Sequence, residues 1–232
     1  MLDQAFFDTF KTYDWGVDPK VLKPLDDAVL SSHGDAAARK DLEDRLIAVL
    51  KTELPRAAKD AVCRALRTVG TAASVPALAA LLPSEELSHM ARYALELNPA
   101  PEAGKVLLEA LPKLSGKLKF GIISSLGARR ETAAIAPLQA LLAGNDPEAA
   151  HAAAHALGTI GTLAAAKILV TAKPSAATKE AIADASMECA EELLAGGNKV
   201  AAKATYEKLL ANKPSKPVQI AATRGLKTVA GG

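Results

Sequence analysis

Aromatic side chains are scarce in this 232-residue chain, at 3% of the total, although half of its residues are apolar. The apolar share comes instead from Leu and from Ala, and Ala alone makes up about a fifth of the sequence. Ala gives up no side-chain entropy on entering a helix, so this composition predicts helices packed closely through small residues. No run approaches the roughly twenty uncharged apolar residues of a membrane span. Two cysteines, Cys63 and Cys189, supply neither a disulfide framework nor a zinc knuckle, because both need several thiols at short spacing. Neither sign of charge dominates: 28 Lys and Arg against 26 Asp and Glu leave a net +2. Duplex-binding domains carry a stronger basic excess, so nucleic acid is not an expected partner. A mean hydropathy of +0.12 argues against disorder. The opening Met1-Leu2-Asp3-Gln4 has no basic region leading into an apolar one. As it stands the chain is expected in the cytoplasm, or in the periplasm or outside the cell if a signal peptide has been removed.

What is present is a repeat. Leu66, Leu95, Leu126 and Leu157 are separated by 29, 31 and 31 residues. Four positions before them stand Val62, Ala91, Ile122 and Ala153; one position before stand Ala65, Ala94, Ser125 and Ala156. These offsets share one stripe of a 3.6-residue helix. Twelve positions after the anchors come Leu78, Leu107, Leu138 and Leu169, which mark a second helix in each unit. Gly70 and Gly161 follow their anchors by four residues, where glycine suits a helix C-terminus. Ser84 and Asp146 precede helix starts as expected N-caps, and Pro147 follows the latter at a position that tolerates proline. Each unit therefore reads as helix, turn, helix, loop. A single pair cannot bury both of its faces, so the units are expected to stack.

The stretch from Ala152 to Gly161, AAAHALGTIG, followed by a Leu-rich helix, looks like the HEAT-like repeats of bacterial phycobilisome-lyase type. Asp60 to Gly70 followed by Val75-Pro76-Ala77-Leu78 fits the same pattern. The likeness covers about residues 55–173, and Ala201 to Leu210 is closer to a tetratricopeptide helix. The resemblance implies an all-α, right-handed α-solenoid of stacked HEAT-like helical pairs. It also implies that the first helix of each pair lines a concave, ligand-binding surface. The repeat solenoid is expected over residues 55–232, with 175–232 degenerate or tetratricopeptide-like.

Residues 1–54 do not follow the repeat and are expected to form an N-terminal helical cap. They hold Phe6, Phe7, Phe10, Tyr13 and Trp15, five of the chain's eight aromatics. Leu2, Phe6, Phe10 and Tyr13 follow helical spacing, which predicts an apolar stripe docked on the first repeat. The alternative is an aromatic patch that binds a partner. Asp35 to Lys51 reads as a further amphipathic helix.

With the anchor stripe buried, the residues six and two positions before each anchor should face away from it. They are Asp60, His89, Phe120 and His151, then Arg64, Tyr93, Ser124 and His155. Together with Arg92 they form the candidate binding ridge, set against the plainer reading of a solvated face. Tyr and Phe are favoured as interface anchors, and arginines can pair with a partner's carboxylates. Arg56, Lys59, Arg64 and Arg67 make the first repeat locally basic, which reads either as a solvated helix face or as a site for an acidic peptide or phosphate.

His151 and His155 stand at the i, i+4 spacing that places two imidazoles on one zinc ion. Ala152-Ala153-Ala154 between them offers no glutamate as general base, and no third ligand is assured. No metal and no cofactor is therefore expected. HEAT-type metalloenzymes use repeated His-Glu dipeptides, which this chain lacks. The expected function is non-catalytic: a protein-binding or scaffold module with a protein or peptide partner. The alternative is an accessory or lyase-like protein that handles a small molecule or chromophore.

Overall fold

The computed structural model describes residues 2–231, and among these it is all-α, without strands. The chain forms two compact units that divide between Gly121 and Ile122.

The first unit opens with α1 (Gln4–Thr9), a 3-10 turn (Pro19–Leu22), α2 (Lys23–Ser31) and α3 (Ala36–Leu50). It continues with α4 (Arg56–Val69), a 3-10 turn (Ala72–Ser74), α5 (Val75–Ala79), α6 (Ser88–Leu97), α7 (Pro101–Ala110) and the first turns of α8 (Gly116–Ala128). Helix α4 packs against α2, α3 and α6, while α5 packs against α6 and α7. The second unit holds the rest of α8, a 3-10 turn (Thr132–Ala134), α9 (Ile135–Leu142), α10 (Pro147–Ile160) and α11 (Leu163–Thr171). Helices α12 (Lys179–Ala195), α13 (Lys199–Ala211) and α14 (Lys216–Gly231) complete it. Here α10 packs on α9, α11 and α12, then α12 on α13 and α13 on α14. Successive helical pairs packed on their neighbours are the organisation of a HEAT-like α-solenoid.

The repeat stripe is the core. Leu66, Leu95, Leu126 and Leu157 are all fully buried, and so are Leu78, Leu107, Leu138 and Leu169. Val62, Ala91, Ile122 and Ala153 lie beside them with no exposure. Abundant Ala has a geometric use: a Cβ on Gly127 would stand 2.9 Å from the Ala156 Cα, and one on Gly158 would stand 3.0 Å from the Ala185 Cα. Helices this close leave room only for small residues at the crossing.

The caps follow the sequence in part. Asp146 accepts from the Glu148 and Ala149 amides, and Gly161 ends α10 at φ +66°. Gly70 ends α4 in extended backbone instead, at φ −64° and ψ 143°. Its requirement is space, since a Cβ there would stand 2.3 Å from the Leu66 carbonyl oxygen. Ser84 lies one turn earlier than a cap of α6, and its hydroxyl accepts from the Leu87 amide. Asp35 caps α3 through the Ala37 and Ala38 amides.

In residues 2–54 the aromatic stripe is redistributed. Phe7 and Phe10 are buried, whereas Phe6 and Tyr13 are half-buried. The Phe6 ring meets those of Phe7 and Phe10 edge-on at 5.6 Å. Arg45 of α3 holds this cluster, lying 5.9 Å from the Phe7 ring and donating to the Leu2 carbonyl. Trp15 stays 68% exposed.

Candidate functional site

The expected ridge residues fall in both units, and each group is described within its own. In the first unit Arg64 of α4 and His89 of α6 are exposed, while Arg92, Tyr93 and Phe120 are half-buried. The Arg67 guanidinium lies 4.1 Å from the Tyr93 ring centroid, a cation–π contact that joins α4 to α6. Arg92 donates to the Gly121 carbonyl at 3.0 Å, and a Cβ on Gly121 would stand 2.5 Å from the Arg92 guanidinium carbon. Arg92 is thus a packing residue as well as a surface cation. Of the basic run in this unit, Arg67 is stacked and Arg56 stands 4.0 Å from Asp60.

Asp60 is a correction. Expected on the exposed ridge, it is only 5% exposed, and its Oδ1 has no hydrogen-bond partner. Helix α6 packs closely on α4 and brings His89 near the position that the helical wheel placed outward. Burial pushes its carboxyl pKa up, and the nearby Arg56, Arg64 and His89 pull it down by less. A carboxyl raised in the folded state costs stability above its folded pKa and nothing below its unfolded one. Asp60→Asn should therefore stabilise the protein at neutral pH by about 1 kcal/mol. The gain should vanish as the pH falls through the carboxylate range. Thermal melts of both proteins across that range check this; an asparagine variant that melts lower at neutral pH would contradict it.

In the second unit Ser124 of α8 and His151 and His155 of α10 are exposed. The His155 Nδ1 lies 3.4 Å from the Thr159 hydroxyl, which donates to Glu188 of α12 at 2.9 Å. His155 is thereby tied to the neighbouring helix. Among the described residues no group of three or more His, Cys, Asp or Glu is placed to hold a metal ion. Cys63 and Cys189 are both free and buried, and burial pushes each thiol up to about 12.

Beside Arg64 lies a groove of about 470 Å³, walled by α2 and α4. Leu22, Leu25, Val29 and Leu30 line it, with Tyr13, Asp26 and His33. The sequence carried a signal for it in the helical spacing of Leu22, Leu25 and Val29. Sequence reasoning also missed the polar groups that set the turns between paired helices. Glu43 of α3 accepts from the Thr71 amide at 2.6 Å, from the Thr71 hydroxyl at 2.9 Å and from the Ser74 amide at 3.2 Å. Arg39, one helical turn away, donates to the last carbonyls of α4 at Thr68 and Val69. In the second unit Arg130 pairs with Glu192 at 2.6 Å. None of these pairs shows in a sequence, because the partners stand about thirty or more residues apart.

Residues 104–187 match the family model of HEAT repeats. The matched segment runs from α7 into α12 and includes the Leu126 and Leu157 repeats. HEAT repeats commonly serve as protein-interaction scaffolds and are usually non-catalytic. A comparison with curated proteins finds no significant match. No helix among the described residues is long and apolar enough to cross a membrane.

Proposed function

We propose that this chain is a non-catalytic protein-binding or scaffold module that takes a protein or peptide partner on the faces of its repeat helices, in each unit by itself: α4 and α6 in the first, α8 and α10 in the second. The observation that carries the reading is the Arg67–Tyr93 stack, with Arg64 and His89 exposed beside it. A stacked, half-buried tyrosine loses little entropy on binding, and flanking cations set a partner's register through its carboxylates. Arg92 and Phe120 supply half-buried positions of this face, and Asp60 a buried one. Ser124, His151 and His155 supply the corresponding positions in the second unit.

The test places a photocrosslinking amino acid at position 93, and separately at exposed Gln139, in the cells that make the protein. The captured partner is then titrated against wild type, Tyr93→Ala and Gln139→Ala, with melts recorded for each. Tyr93→Ala should lose more than about 1 kcal/mol of binding and Gln139→Ala almost none. Equal affinities would move the binding surface elsewhere.

The groove favours a second reading, an accessory or lyase-like protein that handles a small molecule or chromophore. Its volume of about 470 Å³ suits a small ligand, and its walls are apolar with a few charged groups at the rim. A compound that raises the melting temperature of wild type but not of Arg64→Ala would support it.

A further inference from the structure

The near-neutral net charge hides a strong polarity along the chain. Residues 199–232 hold seven lysines and arginines against one glutamate, a net +6. Residues 1–54 hold eleven acids against seven bases, a net −4, and residues 55–198 balance to zero. The basic excess has a structural address in α14. Lys216, Ile220, Arg224 and Lys227 recur at helical spacing, all are exposed, and Ile220 is 56% exposed in their midst. The buried residues Val218 and Ala222 occupy the opposite side of the helix, and there Gly225 admits the Tyr206 ring. Among the described residues no ion pair engages Lys216, Arg224 or Lys227.

Three kinds of partner meet a basic face, and the residues present separate them. Single-stranded nucleic acid wants exposed aromatics for its bases, yet Tyr206, the one aromatic in this stretch, is buried. A membrane surface wants a broad apolar face, and here Ile220 stands alone among cations. An acidic protein surface with an exposed apolar residue fits both the charge and Ile220. The chain itself carries such a surface. In residues 14–21, exposed Asp14 and Asp18 stand against the single cation Lys20 and alternate with exposed Trp15, Val17 and Val21; among the described residues the Asp14 and Asp18 carboxylates accept only from backbone amides.

We propose that the basic outer face of α14 in one copy docks on the Trp15-bearing segment 14–21 of a second copy, with Asp14 and Asp18 facing the α14 cations and Trp15, Val17 and Val21 meeting Ile220, in a head-to-tail contact. Such a contact is heterologous, so each copy keeps one free head and one free tail, and association continues into a ring or an open chain. Exposed charges on both sides make it sensitive to salt.

Trp15 is the chain's single tryptophan and lies in the proposed contact, so its emission reports the interaction directly. Sedimentation velocity and Trp15 fluorescence are followed together against protein concentration, at low salt and at about 1 M salt, where the screening length falls to about 3 Å. Wild type should grow with concentration at low salt while the emission shifts to the blue, and both changes should be lost at high salt. A tail variant, K216S/R224S/K227S, should associate about tenfold or more weakly, and so should a head variant, D14N/D18N. The decisive arm mixes the two variants in equal amounts. Only the intact tail of one and the intact head of the other can pair, so the mixture should stop at a one-to-one dimer. All substituted positions are exposed, and circular dichroism checks that each variant folds. A wild type that stays monomeric with unchanged emission overturns the proposal. So does association that survives in either variant, or a mixture that remains monomeric.

Discussion

Leu126→Ala is expected to cost about 2–5 kcal/mol, a large part of the roughly 5–15 kcal/mol that stabilises a domain. The side chain has no exposure at all, and the upper half of that range applies only where neighbours cannot close over the cavity. At this site they are already in contact. The next residue, Gly127, brings α8 so near α10 that a Cβ would stand 2.9 Å from the Ala156 Cα. The two backbones therefore have little travel left with which to fill the space of a lost isobutyl group. Urea unfolding followed by circular dichroism measures the effect as a lower midpoint at unchanged slope. Leu97→Ala is the control. That leucine also lies on a repeat helix but is 58% exposed, and its loss should change stability by less than about 0.5 kcal/mol. Equal effects at the two positions would mean that the 29- and 31-residue periodicity is not a burial pattern.

Glu43→Ala should be the other severe change, at about 2–4 kcal/mol, although it removes a charged residue from a helix that packing arguments would leave alone. Glu43 is 2% exposed, and its carboxylate collects the Thr71 amide, the Thr71 hydroxyl and the Ser74 amide. Ser74 is buried, so its amide would find no water in place of the carboxylate and would keep only its 3.3 Å contact with the Thr71 carbonyl. The same turn is closed from the other side by Asn98, whose amide nitrogen donates to the Thr71 carbonyl at 2.8 Å. Glu43→Gln keeps an acceptor oxygen in reach of both amides and should recover at least half of the loss. A glutamine variant as unstable as the alanine variant would show that the charge, and not the acceptor, secures the turn. Thermal melts of the three proteins side by side distinguish these outcomes.

Both expectations bear on how much of the molecule is legible in its sequence. Leu66, Leu95, Leu126 and Leu157, with their partners twelve residues on, could be assigned to the core from spacing alone. A helix returns a side chain to the same face every 3.6 residues, and stacking repeats that face from unit to unit. The α3 helix and the Asp146 and Gly161 caps were legible for an equally local reason, because a cap is a contact between residues within one turn. The face proposed for binding was legible only in outline. Arg64, His89, Ser124, His151 and His155 are exposed as their offsets predict, but Asp60 is not. A helical wheel knows one helix, and Asp60 lies where α6 packs against α4.

The sequence by itself determined the repeat, the helical class, the buried leucine ladder and the separation of acidic and basic ends. Each of these rests on periodicity or composition, which survive in a linear string. Tertiary structure alone decided which polar groups lie inside. It buried Asp60 with an unpartnered oxygen, drew Glu43 onto a turn 28 residues away, stacked Arg67 on Tyr93 and opened the groove beside Arg64. Those outcomes depend on which helix lies against which, and at what distance. No pattern within a single helix carries that information.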